Sequence, residues 1–406
     1  MPGGVVITGV GAVSALGPDV PALRAGLVAG RDGIGPLTLF AYRGRADTAA
    51  EVADVPRGPW DLPPAAVRRL SRPDRFALAA GEEAIREAGL DAGTRSEAAL
   101  IVGATTGGMF ETEEAYRRWR AGATPRLAVS RVLGTSLATS GVAVSQAFGV
   151  FGPQETVATA CSSSALAIAR AAELIVRGSV AAALAIGTDG LCRLTYAGFD
   201  ALQALDPERC RPFDRERHGL TLGEGAGALV LEDADHARAR GARVLARLVG
   251  WGTATDAHHP TAPHPDGRGA LAALRAALAM AHRSPEAVDY VNAHGTGTPQ
   301  NDAVEAMVLR TVLGERLERI PVSSSKSQFG HTLAAAGALE AVVTTLALRD
   351  GILPPTLGLR APDPAWAGVD LVTEAGRHAA LGVAVSSSYG FGGHNVTLAL
   401  ARGDVA

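Results

Sequence analysis

Residues 5–11 read Val-Val-Ile-Thr-Gly-Val-Gly, and residues 246–252 read Ala-Arg-Leu-Val-Gly-Trp-Gly. Each is a short apolar run closing on Gly-x-Gly, the pattern of a buried strand. Behind each comes an Ala-rich stretch at helical spacing, residues 75–88 and 269–281. A β-rich run follows in both places, residues 98–103 and 287–293. A second strand then runs into a long helix of small residues: residues 155–161 into 162–177, and residues 320–325 into 332–348. Strands alternating with helices imply crossover connections and mostly parallel pairing. The duplication predicts an α/β fold of two pseudo-symmetric halves in layers. The first half carries the longer loops, among them residues 109–138.

The composition fits that reading. The chain has 406 residues, 47% hydrophobic and 19% charged, ample for a sizeable core. With 38 basic and 41 acidic residues the net charge is −3. Such a chain has no global field for gripping nucleic acid or an anionic membrane, so neither partner is expected. The longest charge-free run, residues 132–154, is punctuated by Gly, Ser, Thr, Gln and Pro, and reads as buried protein rather than a membrane span. Residues 5–10 already read as a strand, which leaves no room for a signal peptide. Cys161, Cys192 and Cys210 form no CxxC or paired spacing, which argues against a disulfide framework or a zinc site. The expectation is a cytoplasmic globular protein.

Two glycine patterns imitate cofactor loops. Gly9-Val-Gly11 lacks the third glycine of a dinucleotide fingerprint, and Gly223-Glu-Gly-Ala-Gly227 precedes a strand (residues 228–232) instead of following one. Phosphate cradles need their glycines between strand and helix. Both patterns read as tight packing. A further oddity is that Lys326 is the only lysine beside 37 arginines. It marks either a site where arginine cannot serve or a stray solvated residue.

Three residues fall at strand-to-helix junctions, where ligands gather in open α/β sheets. Cys161 sits in Thr159-Ala-Cys-Ser-Ser-Ser164, at a helix N-terminus whose dipole favours thiolate. That makes it a nucleophile candidate, although the position also suits a buried, inert cysteine. Cys192 and Cys210 lack the context and receive no role. His294 lies in Asn292-Ala-His-Gly-Thr-Gly-Thr298, and His331 in Ser325-Lys-Ser-Gln-Phe-Gly-His331. A lone histidine is usually a packing or surface residue. Two at matching positions of a duplicated chain, facing a thiol, are harder to dismiss.

Thr-Ala-Cys-Ser-Ser, His-Gly-Thr-Gly-Thr, Lys-Ser-x-x-Gly-His and Gly390-Phe-Gly-Gly-His-Asn395 resemble the β-ketoacyl-acyl carrier protein synthases, the condensing enzymes of fatty acid and polyketide synthesis. The opening strand and the stretch from Arg211-Pro-Phe-Asp214 to Leu229-Val-Leu-Glu232 match too, so the resemblance spans nearly the whole chain. It implies a thiolase-like fold of two pseudo-symmetric halves in a five-layered αβαβα arrangement, and a dimer. The N-terminal half, residues 1–240, holds the nucleophile and extra loops. The C-terminal half, residues 241–406, holds both histidines, the lysine and a gating loop.

The resemblance also implies a chemistry. Cys161 takes an acyl group from a carrier-protein thioester, and a malonyl thioester then loses carbon dioxide and attacks it. Backbone N–H groups of Cys161 and Phe391 serve the acyl oxyanion, and His294 and His331 serve the malonyl oxygen. Lys326, near the second histidine, pairs with a carboxylate matching Glu340. Thr296 and Thr298 hydrogen-bond the pantetheine, with help from Thr261; Phe199 and Gly392 complete the substrate-binding set. Phe391, between glycines, gates the acyl pocket. No bound cofactor is implied, because substrates arrive on the phosphopantetheine of an acyl carrier protein. A Cys-His-Asp triad is the rival mechanism, disfavoured by the glycine-rich setting of both histidines.

Departures from the commoner pattern bear on specificity: Tyr389 for phenylalanine, Ser387 for asparagine and Ala334 for glycine. Arg68, Arg69, Arg72 and Arg75 read either as a solvated helix face or as a dock for an acidic carrier protein. The dimer partner is either a second copy or a cysteine-less, chain-length-determining relative. The chain itself is expected to condense rather than play that non-condensing part, since Cys161, both histidines and Lys326 are present. A thiolase-like enzyme acting on coenzyme A esters is disfavoured by the Lys-Ser-x-x-Gly-His and Gly-Phe-Gly-Gly motifs.

Overall fold

A computed structural model describes residues 4–122 and 132–404. Residues 123–131, inside the long loop expected at 109–138, lie outside the described residues. The preceding part of that loop is a helix, Met109–Arg120.

Ten strands form one sheet: β1 (Val5–Val13), β2 (Ala99–Gly103), β3 (Gln154–Val157), β4 (Ala182–Asp189), β5 (Gly225–Asp233), β6 (Ala246–Thr255), β7 (Tyr290–Asn292), β8 (Val322–Ser323), β9 (Val383–Gly390) and β10 (His394–Arg402). Their order is β8-β7-β9-β10-β6-β1-β5-β4-β2-β3. Reading outward from the centre, each half repeats the other. The halves meet where Val5, Val6 and Ile7 of β1 pair antiparallel with Leu248, Arg247 and Ala246 of β6. In each half the three outermost strands pair in parallel, and the two inner ones antiparallel.

Helices make the other layers. α1 (Arg72–Ala88) and α2 (Thr139–Phe148) cover the outer face of the first half. α4 (Arg268–Met280) and α5 (Pro299–Leu313) cover the second. Between the halves lie α3 (Ser163–Val176) and α6 (Ala336–Asp350). α6 is buried on every face from Ala336 to Leu348, so it can have no polar stripe, and its small residues let the two halves of the sheet approach. The arrangement is the αβαβα layering of the thiolase-like fold.

The Gly-x-Gly repeat now has its reason. A Cβ on Gly9 or Gly11 would lie 2.1 and 1.9 Å from the carbonyl oxygens of Ala84 and Ala80 in α1. On Gly250 or Gly252 it would lie 2.3 and 2.0 Å from those of Ala277 and Ala273 in α4. In both halves the outer helix backbone rests directly on the strand, and any side chain would lever it away. Gly227, in the second glycine pattern, approaches the backbone of α6 in the same manner.

Element ends differ from the sequence reading mainly at junctions. The run at residues 287–293 begins as a 3-10 turn, Pro285–Ala287, and only Tyr290–Asn292 is strand. Between β8 and α6 the chain makes two short turns, Lys326–Phe329 and Leu333–Ala335, where a direct entry into helix was expected. Among the described residues, no helix is long and apolar enough to cross a membrane.

Candidate active site

A cavity of about 460 Å³ is lined by Cys161, His294, His331 and Phe391. The fold brings together what the sequence separates by more than 200 residues.

Cys161 occupies a 3-10 turn, Ala160–Ser162, at the entrance to α3. Ala160 has φ +52°, a left-handed conformation that a residue with a Cβ adopts only under constraint. The serines after the cysteine supply it. Ser162 Oγ donates to the Thr159 carbonyl (2.8 Å). Ser163 Oγ donates to the Ala160 carbonyl (2.6 Å) and accepts the Thr159 N–H (2.8 Å). The motif is thus a self-bonded elbow that presents the thiol. Burial pushes that thiol up to about 11, while Lys326 and the Phe391 N–H, which hydrogen-bonds the sulfur, act in the opposite direction. The thiolate expected from the helix dipole is not the resting form, because desolvation outweighs it.

The two imidazoles meet edge to face, with ring centres 5.5 Å apart. Burial, then the charge of Lys326, holds both well below the usual histidine range, so both are neutral. Lys326 Nζ reaches His294 Nδ1 (3.3 Å), and the Leu333 N–H donates to His331 Nδ1 (3.3 Å). An ammonium and an amide can only donate, so each ring's single proton resides on Nε2. The site therefore holds two fixed, uncharged N–H donors. Sequence reasoning placed Lys326 beside the second histidine; its hydrogen bond goes to the first.

Lys326 is fully buried and paired with Glu340 of α6, which removes the stray-surface reading. Burial pushes the Glu340 carboxyl up despite its partner. Removing one member of a buried pair costs about 3–5 kcal/mol, so Lys326→Ala should lower thermal stability sharply. Lys326→Arg should keep the charge yet cripple activity, because a planar head does not fit a space shaped for an ammonium. Amine-selective labelling should be slow in the native protein and complete after unfolding. Fast native labelling with an active arginine variant would contradict the buried placement.

The Thr296 and Thr298 hydroxyls bond each other (2.9 Å) on the cavity wall. Thr261 and Phe199 also line it. Phe391 stacks on Phe199, with ring centres 5.3 Å apart and planes at 24°. Gly392 does not line the cavity; Gly390 and Gly393 beside it do. Gly392 instead donates its N–H to the Pro260 carbonyl (2.7 Å) and takes φ +84°, which turns the loop. Cys192 and Cys210 are buried away from this wall, bonded to Thr195 and to the Lys326 carbonyl.

The arginine cluster divides. Arg68 and Arg69 are exposed. Arg72 is engaged by the buried carboxylate of Glu224 and by the Val52 carbonyl, and Arg75 turns to the Val67 carbonyl (3.1 Å). Arg72 thus fastens α1 to the core rather than facing solvent, a correction to its place in a docking patch.

One functional neighbour was missed. Glu305, buried on α5, accepts the backbone N–H groups of His294 (2.7 Å) and Gly295 (2.8 Å). Asp302, one turn earlier, accepts that of Gly297 (3.2 Å). An acidic pair at i, i+3 directly after the His-Gly-Thr-Gly-Thr turn was the available signal.

Comparison with known proteins gives matches over most of the chain. The model of the beta-ketoacyl synthase N-terminal domain matches residues 3–237, and that of the C-terminal domain residues 245–360. A 3-oxoacyl-[acyl-carrier-protein] synthase 2 from Synechocystis is 37% identical over 412 residues, covering 98% of each chain. The solved ishigamide ketosynthase/chain length factor superposes with a TM-score of 0.92 at 34% identity, covering 99% of this chain and 100% of that one. A ketosynthase solved with its type II polyketide acyl-carrier protein superposes at 0.89 with 29% identity, each chain covered in full.

Proposed function

The chain belongs to the β-ketoacyl synthase family, and from that premise we propose how its residues carry out decarboxylative condensation in fatty acid or polyketide chain elongation. The observation that carries the proposal is the meeting of one buried thiol with two Nε2–H donors in a single cavity.

In the first half-reaction, Cys161 Sγ forms a bond to the carbonyl carbon of an acyl-carrier thioester. The carrier sulfur departs and leaves with the thiol proton. The backbone N–H groups of Cys161 and Phe391 stabilise the oxyanion, a role supported by the approach of the Phe391 N–H to the sulfur. In the second, the malonyl carboxylate leaves as carbon dioxide, and its electron pair becomes an enolate. Its oxygen lies between the Nε2–H donors of His294 and His331. Neutral donors suit this step, since they need no proton to be gained or lost. The enolate carbon then attacks the acyl group, and Cys161 departs as thiolate to be reprotonated.

Lys326 with Glu340 holds His294 in its tautomer. Thr296 and Thr298 take the pantetheine amides, with Thr261 nearby, and Phe391 leaves Phe199 to admit the acyl chain. Gly392 serves through the loop conformation rather than by contact. The substrates ride on the phosphopantetheine of an acyl carrier protein, and the chain works in the cytoplasm as a dimer, with itself or a chain-length relative. We assign residues 1–240 to the nucleophile half and 241–406 to the donor half. The non-condensing alternative lacks support, since that role needs no thiol.

Incubating the purified protein with acyl and malonyl carrier proteins should release one carbon dioxide per β-ketoacyl product. Decarboxylation without product would favour the non-condensing reading. Mass spectrometry of carrier-bound products from the native complex separates the pathways. The carrier is proposed to dock at Arg68 and Arg69. Reversing both to glutamate should raise KM for carrier-bound substrates about tenfold or more, lost at high salt, and leave pantetheine thioester mimics unaffected. Equal losses on both would remove this surface from the docking model.

A further inference from the structure

β4 ends at Asp189, whose carboxylate is fully buried. It accepts hydrogen bonds from the backbone N–H of Thr105 (3.2 Å), from the Thr105 hydroxyl, and from the N–H and hydroxyl of Thr106 (both 2.7 Å). These fasten the segment that follows β2, all within the first half. A fifth bond crosses to the second half: the Ala334 N–H donates to Asp189 Oδ2 at 2.9 Å. Every one of these partners donates, three of them backbone N–H groups that cannot do otherwise, which suits an acceptor-only carboxylate. Burial pushes the carboxyl up, and these bonds act in the opposite direction.

Ala334 is the middle residue of the turn Leu333–Ala335. The first residue of that turn supplies the N–H that fixes His331 Nδ1. Leu333 has φ +54°, so the turn is strained and persists only if held from outside. The His331 backbone is held at both ends, its N–H donating to the Thr221 carbonyl (2.7 Å) and its carbonyl accepting the Gly223 N–H (2.9 Å). Neither bond reaches the ring, whose Nδ1 accepts from the turn. The ring's orientation and tautomer depend on the turn.

We infer that Asp189 is a positioning residue for His331, reaching across the pseudo-dyad to hold the turn that directs its Nε2–H into the cavity. The inference rests on the reading of His331 as an oxyanion donor. The carboxylate also bears on the thiol. Its negative charge adds to the burial that keeps Cys161 protonated, against the charge of Lys326.

Asp189→Asn keeps the size of the side chain but turns one oxygen into an NH₂ group facing N–H donors. Acyl transfer to Cys161 should stay within about threefold of the parent, while malonyl decarboxylation and condensation fall about tenfold or more, the scale of a weakened oxyanion donor. In spectra of ¹⁵N-histidine-labelled protein, His331 should lose its Nε2-protonated tautomer signature and His294 should keep its own. Thr106→Val, nearly isosteric, should show the same selective loss at smaller size, and Thr106→Ser should restore it. These two variants decide the matter should Asp189→Asn fail to fold. Equal losses in both half-reactions, no loss in either, or an unchanged His331 spectrum would overturn the inference. His331→Ala with intact decarboxylation would instead overturn the donor reading, because the tautomer spectrum reports the Asp189 link independently of activity.

Discussion

Cys161→Ala abolishes condensation completely as an expected result, while malonyl decarboxylation persists in part. No acyl enzyme can form without the sulfur, whereas the proposed decarboxylation draws on His294 and His331. Intact-mass analysis after incubation with an acyl-carrier protein should show one acyl adduct on the parent and none on the variant. An adduct on Cys192 or Cys210 would falsify the assignment; burial pushes both of those thiols up to about 11 as well. The thiol's environment gives a second reading. An ordinary cysteine ionises near 8.5, so its alkylation by iodoacetamide levels off above about pH 9. Burial raises Cys161 to about 11, so it carries less thiolate at neutral pH. Its alkylation should keep rising roughly tenfold per pH unit through pH 9. A plateau at or below pH 8.5 would mean that the dipole and Lys326 outweigh burial after all.

His294→Ala and His331→Ala should each lower decarboxylation and condensation about a hundredfold or more, the usual effect of deleting one oxyanion donor. Acyl transfer to Cys161 should fall far less, because its oxyanion faces backbone N–H groups. The pH profile provides the sign. Both rings sit well below the ordinary histidine range, driven by burial and then by Lys326. They remain neutral donors across pH 6–8, and decarboxylation should be flat over that interval. A fall in rate with a midpoint near 6.5, the unperturbed histidine value, would show that one ring protonates in the working range. Near-parental condensation by either variant would withdraw that histidine from the donor pair.

Much of this molecule was readable because its constraints are local. The halves showed themselves in the repeated order of apolar runs and Ala-rich helices. Gly9, Gly11, Gly250 and Gly252 announced close packing, since only hydrogen permits a helix backbone at that distance. The Thr-Ala-Cys-Ser-Ser elbow is bonded within five residues, so its shape travels with its sequence. Cys161, His294 and His331 could be named for the same reason: each lies in a short glycine- or serine-rich junction with its own geometry.

The errors share a different cause. Arg72 looked like its exposed neighbours Arg68 and Arg69, but Glu224, 152 positions away, captures it. Lys326, expected near the second histidine, acts on His331 through its charge but spends its hydrogen bond on His294, because its reach depends on how two turns fold back from β8. Glu305 was overlooked because its partners are backbone N–H groups, so the acidic pair after the turn signals a contact without naming what it holds.

The sequence by itself determined the class of fold, the duplication and the candidates Cys161, His294 and His331, which are marked by periodicity and by short junction motifs. Tertiary structure alone decided the protonation chemistry. Whether the thiol is ionised, which nitrogen of each imidazole carries its proton, and which buried carboxylate steadies which loop depend on desolvation and on single hydrogen bonds between distant segments. Those quantities are set by what surrounds a group in space, and a chain read in one dimension does not specify its surroundings.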